Sequence, residues 1–264
     1  PCGYGLLKGN RSIWYMVQVL KKGKYSMLHI VYGGSASGKS SYAESFALSL
    51  QGDGRLLYIA TMYPYKWNTT ELDPETMQRI ERHRAMRADK GFYTVECYRH
   101  VEHIVAKRQD VLLLECMSNL LANEMYLEPD AEAVGIAGKA EVNTETVGMA
   151  GKAEVDTEKA GMAGKAEVDT ETAGTDTNAG SGMSKTLSPV SKKIVQALVD
   201  LSTRVQDVVI VTNDVFSDGG SLTYDESTRE YVRNLAEINC ALAWEAATIT
   251  EVVCGIPVIV KKNH

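Results

Sequence analysis

The sequence predicts an α/β fold, a mostly parallel sheet flanked by helices and built around a phosphate-binding loop. Three observations carry the prediction. Met27–Ser40 reads MLHIVYGGSASGKS, an apolar run that leads into Gly33, four residues, then Gly38-Lys39-Ser40, which is the G-x-x-x-x-G-K-[ST] spacing. Apolar β-type runs at 55–61, 111–115 and 207–212 alternate with stretches of helical periodicity, and that alternation builds a parallel sheet with helices on its faces. Two segments, 1–26 and 131–183, stand outside the alternation, and without them 185 residues remain, the size of one domain.

The loop comes first. Gly33, Gly34, Ser35, Ala36, Ser37 and Gly38 can turn backbone N–H groups inward around phosphate oxygens where larger residues would obstruct. Lys39 reaches the outer phosphates, and Ser40 offers its hydroxyl to Mg²⁺. A helix that starts near Lys39 aims its positive end at the same anion. A glycine-rich turn that binds nothing is the competing reading. The strand before the loop and SSYAESFALSL after it, with Tyr42, Phe46 and Ser49 or Leu50 at helical spacing, decide for nucleotide binding.

Arg55–Thr61 reads as a second buried strand after a Gly-Asp-Gly turn. Ala60, Thr61 and Met62 fall at its carboxyl end, where parallel sheets bind ligands, or they simply leave the strand. Asp73-Pro74-Glu75 is a helix start, with a capping carboxylate and Pro in the first turn. Met77, Ile80 and Arg84 share one expected face of that helix. Near its end, RIERHRAMRADK places Arg79, Arg82, Arg84, Arg87 and Lys90 around His83. Those cations make an anion-binding surface and disfavour one more positive charge, so His83 is expected to be neutral and nucleophilic near pH 7. A structural histidine on a solvated basic face is the alternative.

Phe92–Cys97 alternates like a strand, with Glu96 near its end. RHVEHIVAKR reads as a helix that puts His100 and His103 on one face, with no further ligand in view, so a metal is not expected there. VLLLE at 111–115 is the most apolar run and ends in Glu115, which is either a Mg²⁺-organising carboxylate or an exposed strand-end acid. SNLLANEM is a helix leading outward. Pro189–Ser202 is amphipathic through Ile194, Val195, Leu198 and Leu201. DVVIVT at 207–212 is a buried strand, and 225–247 a long helix with Tyr231, Leu235, Ile238, Leu242 and Ala246 on one face. ITEVVCGIPVIVK gives two strands broken at Gly255-Ile256-Pro257, with their apolar stripes assigned to the core.

Acidic residues outnumber basic ones 34 to 28, so there is no basic signature for nucleic acid. The imbalance is local, because 131–183 alone carries ten acids and four bases. That stretch contains a thirteen-residue repeat, GIAGKAEVNTETV, GMAGKAEVDTEKA, GMAGKAEVDTETA, and no aromatic residue. It cannot bury enough apolar area to offset its ordering entropy, and is expected to be a solvated insert in a surface loop. Residues 1–26 begin with Pro, and Met27 just before the loop strand is the expected natural start. No apolar run approaches the roughly eighteen residues of a membrane span, and SIWYMVQVL at 12–20 lacks a cleavage site. Five cysteines, none in a C-x-x-C pair, suit a reducing, cytoplasmic setting.

The set GGSASGKS, YIAT, RIERHR, TVEC, LLLEC, VTND and GIPVIVK resembles the bifunctional adenosylcobinamide kinase/adenosylcobinamide-phosphate guanylyltransferase family of cobalamin biosynthesis, over about 27–130 and 184–262. R-I-x-x-H-R is the discriminating part. The resemblance implies a RecA-like P-loop fold and a homotrimer. It also implies two reactions: ATP or GTP phosphorylates adenosylcobinamide, then GTP donates GMP to adenosylcobinamide phosphate through a GMP-histidine. On that basis His83 is the nucleophile, and Gly33–Ser40 hold phosphates. Ala60, Thr61, Met62, Arg84, Ala85, Met86 and Arg87 line the nucleotide site, and Glu96 and Glu115 contact nucleotide or Mg²⁺. The chain departs from the family at Asp214 and Phe216. A simple P-loop kinase is the other enzymatic reading. A GTP-dependent switch lacks its N-K-x-D and D-x-x-G motifs.

Overall fold

The computed structural model describes residues 27–128, 187–215 and 224–262. The segments 1–26 and 131–183 and the departure at Phe216 lie outside the described residues. β1 (Met27–Gly33) feeds the phosphate loop and α1 (Lys39–Leu50). Then follow β2 (Leu56–Ala60), α2 (Pro74–Arg87), β3 (Phe92–Glu96), a 3₁₀ turn (Val101–His103), β4 (Val111–Glu115) and α3 (Met117–Tyr126). After the gap come α4 (Pro189–Arg204), β5 (Asp207–Asn213), α5 (Glu226–Glu245), β6 (Thr248–Val253) and β7 (Ile256–Lys262).

The strands form one sheet in the order β3-β2-β4-β5-β1-β6-β7, parallel except for β7, which pairs antiparallel with β6. Side chains alternate across each strand, and the alternation divides the core in two. Leu28, Ile30, Leu57, Ile59, Leu112, Leu114, Val208 and Ile210 face α3, α4 and α5. Val31, Leu56, Tyr58, Leu113, Val209 and Val211 face α1. The Asp73 cap is where the sequence placed it, accepting from Thr76 N, and the structure adds two more, Ser188 accepting from Ser191 N and Asp225 from Thr228 N.

Three local expectations are corrected, and the helical spacing of Tyr42 and Phe46 is borne out. RHVEHIVAKR is a single 3₁₀ turn, because His100 adopts φ +55° and Ile104 is already extended. The two His rings still stack, with centroids 5.6 Å apart. α1 turns Ala43, Glu44 and Ala47 inward, and Tyr42 and Phe46 pack partly buried at the flank. On α2 the buried residue is Arg87, with Met77 and Ile80 half-buried and Arg84 exposed. β7 is an edge strand with both faces open, so Ile256, Val258, Ile259 and Val260 are exposed rather than core.

Candidate nucleotide site

The carboxyl ends of β1, β2 and β4 converge on one edge of the sheet. Gly33 closes β1 so tightly that a Cβ there would stand 2.5 Å from the Val252 carbonyl oxygen and 2.8 Å from Ser37 Oγ. The loop then turns on Gly34, whose carbonyl accepts from Ser37 N at 3.3 Å and from Lys39 Nζ at 3.0 Å. Ala36 and Gly38 take positive φ, +54° and +88°. Gly255 N donates to Ser37 O at 2.8 Å, so the β6–β7 turn braces the loop from outside. Ser35 and Ala36 are exposed at its tip.

Ser40 Oγ donates to Glu115 Oε1, which joins the first turn of α1 to the end of β4. Glu115 is buried and its Oε2 has no partner. Burial pushes its carboxyl above the ordinary carboxylate range. The Glu44 carboxylate adds to that push, while the Ser40 hydrogen bond, Lys39 and Arg87 pull against it. A hydroxyl beside an unpartnered carboxylate oxygen is the donor set Mg²⁺ takes, with water and phosphate completing its shell. Ser40 and Glu115 therefore fit the ion.

His83, on α2, is half-buried, and its Nδ1 is buried without a partner. Burial lowers its pKa, and Arg87, Arg79 and Arg82 lower it further against the opposing pull of Glu44. That lowering favours the neutral imidazole. Arg87 lies one turn on, 5% exposed, its guanidinium carbon 3.6 Å from the centre of the Tyr58 ring and Nη2 donating to Thr94 Oγ1 at 3.4 Å. Its Nη1 is also buried and unpartnered.

The structure adds a residue the sequence reading missed. Glu44 is fully buried on α1, paired through Oε2 with Lys90 and with Oε1 unpartnered. Its charge acts on His83, Arg87, Glu115 and Tyr58 alike. An acid between Ala43 and Ala47 on the inward face was the available signal. Thr61 is another fixed point. It is fully buried, its Oγ1 donates to Cys116 O at 2.9 Å and its N to Glu115 O at 3.2 Å. Ala60 and Met62 flank it half-buried.

The other expected residues lie on α2 and at the end of β3. Arg84 pairs with Glu96 at 2.6 Å, and Glu96 also accepts from Tyr98 Oη at 2.9 Å. Ala85 and Met86 lie on the exposed outer face of α2.

A phosphate loop at the end of β1, an acid at the end of β4 and the strand β5 between them define a P-loop nucleotide-binding protein of the RecA-like class. More narrowly, residues 29–260 match the model of the cobinamide kinase / cobinamide phosphate guanyltransferase family, and the chain belongs to that family. The bifunctional adenosylcobalamin biosynthesis protein CobU of Salmonella typhimurium LT2 is 35% identical over 104 residues, 38% of this chain and 51% of that protein. CobU of Escherichia coli K12 is 36% identical over the same shares. In these alignments the chain spans about half the length of the curated relatives it matches. The solved flagellar accessory protein FlaH of Methanocaldococcus jannaschii superposes with a TM-score of 0.36 at 12% identity, covering 91% of this chain and 80% of that one, too loose a likeness to bear on function.

Proposed function

We propose that the chain carries out both family reactions: phosphorylation of the adenosylcobinamide hydroxyl by ATP or GTP, then transfer of GMP from GTP to the resulting phosphate. One observation carries this reading. Of seven buried side-chain polar atoms without a hydrogen-bond partner among the described residues, five belong to Ser37, Glu44, His83, Arg87 and Glu115. Buried polar groups are ordinarily paired, so a concentration of unpaired ones at a phosphate loop marks a site built for a charged ligand.

The loop N–H groups and Lys39 hold the triphosphate. Mg²⁺, held by Ser40 and Glu115, would neutralise charge on the phosphate oxygens. In the first reaction the acceptor hydroxyl attacks the γ-phosphorus, its proton passes to solvent and the nucleoside diphosphate leaves, with Lys39 and Arg87 countering charge on the transferring group. In the second, the His83 imidazole attacks the α-phosphorus of GTP, the bond to the β-phosphate breaks and pyrophosphate departs. The acceptor's phosphate oxygen then attacks the same phosphorus and releases His83. A neutral histidine is the competent form, which burial and the neighbouring arginines favour.

The remaining expectations belong to the same proposal. The enzyme works in the cytoplasm, as a trimer, and residues 131–183 are an insert dispensable for catalysis. The exposed apolar row on β7 supports self-association, and no helix among the described residues is long and apolar enough to cross a membrane.

The test is incubation with Mg²⁺ and GTP radiolabelled at the α-phosphate, followed by denaturation. An acid-labile, alkali-stable label that His83→Ala abolishes is the expected result. Kinase turnover without any such label would leave a simple P-loop kinase.

A further inference from the structure

Beyond Glu96 the aromatic side chains form one connected group. Tyr63 meets Tyr65 at 5.4 Å, Trp67 at 6.4 Å and Tyr98 at 5.4 Å between ring centroids, and Trp67 meets Tyr126 edge-on at 6.2 Å. One end is tied to α2, because Tyr98 donates to Glu96 and Glu96 pairs with Arg84, the neighbour of His83. The other end opens into a cleft of about 500 Å³ lined by Trp67, Asn68, Ala122, Tyr126, Thr228 and Tyr231. Trp67 is 51% and Tyr126 37% exposed there. The opposite wall is tied to the same sheet edge, since Tyr231 Oη donates to Ser118 O, three residues past Glu115. At an α-helical rise of about 1.5 Å per residue, Ala122 stands roughly 8 Å beyond the start of α3.

Solvent-facing rings with a few hydroxyl and amide groups around them favour a flat, weakly polar face bordered by hydrogen-bonding substituents. The acceptor of the proposed reactions has that form, a broad corrin macrocycle fringed with amides that carries its reactive hydroxyl on a side arm. Such a ring is too wide to lie between the loop and Glu115. It needs an open platform, with the arm spanning the remaining distance to the phosphates.

We propose that the Trp67–Tyr126 cleft docks the corrin macrocycle of the cobinamide acceptor, its face stacked on one of the two perpendicular rings and resting on the edge of the other, with its amides toward Asn68 and Thr228. This rests on the reading under Proposed function. The cleft is distinct from the phosphate loop, so acceptor binding and nucleotide binding should separate by mutation.

The experiment measures binding of dicyanocobinamide to the full chain without nucleotide, by equilibrium dialysis and by quenching of tryptophan emission, beside GMP labelling of His83. Trp67→Ala and Tyr126→Ala should each weaken cobinamide binding about tenfold, the scale of one lost large aromatic contact. Trp67→Phe should restore most of it, and labelling should stay at the wild-type rate. Wild-type binding that the alanine variants leave unchanged overturns the docking site and spares the catalytic proposal. A wild-type chain that labels at His83 yet binds no cobinamide overturns the docking site and the acceptor together. Loss of labelling in Trp67→Ala means the cleft serves the nucleotide instead. A fall in Tm with cobinamide affinity intact means that the cleft packs a segment of the chain itself.

Discussion

Asn123 holds the edge of the sheet on which the site is built, and replacing it has a calculable cost. The residue is 2% exposed on α3, and its Nδ2 donates to Thr61 O at 2.8 Å and to Tyr98 O at 2.9 Å. Those carbonyls follow the carboxyl ends of β2 and β3, so one side-chain amide ties two strand ends to the helix after β4. Asn123→Leu keeps the number of side-chain heavy atoms and removes both donors. Each stranded buried carbonyl costs about 1–3 kcal/mol, which sets the loss at about 3 kcal/mol with no cavity contribution. For a chain of this size that lowers Tm by about 9 °C. Urea unfolding followed by circular dichroism reads the change as a lower midpoint at constant slope. A loss under about 1 kcal/mol would refute the reasoning, because the two carbonyls would then have found water or other donors.

Other consequences follow from the site. Glu115 binds its proton more tightly in the folded chain than its ordinary value of 4.5 allows, so without ligand it costs stability as pH rises from that value through the raised one. Glu115→Gln should therefore be more stable than wild type at pH 8 and lose GTP labelling; a lower urea midpoint at pH 8 would contradict this. Gly38→Ala places a Cβ 3.2 Å from Gly255 Cα at φ +88°, at about 1–2 kcal/mol of backbone strain, and nucleotide affinity should fall with Tm; an unchanged melt would show that the loop relaxes freely. Burial pushes the Cys97 thiol up to about 12 and raises Cys116 as well. Alkylation at pH 8 with peptide mapping should mark the exposed Cys240 and Cys254 first, and equal labelling of Cys97 would disprove its burial.

Much of the site was legible because its signals are local. The loop spacing, the Asp73 cap and the acid ending VLLLE each depend on residues a few positions apart, and the structure has them as read. Where a neighbour distant in sequence decides, the reading failed. RHVEHIVAKR has helical periodicity, yet the chain must bury Val101 and Ile104 and reach β4, which leaves room for a single turn. The β7 stripe looked like core because apolar content alone does not say whether a strand lies inside the sheet or at its edge.

By itself the sequence determined that this chain has a phosphate loop, a parallel α/β sheet and a histidine among cations. Each is written in spacing, and the short-range sterics of loops, caps and pleats follow spacing directly. Only the tertiary structure decided that Glu44 is buried within reach of the charges of His83, Arg87 and Glu115, that Asn123 ties the strand ends, and that aromatic rings between 63 and 126 join into one cluster. Those groupings come from the strand order, which places β2 beside β4 and β5 between β4 and β1. That order is settled by packing of the whole core rather than by any one segment.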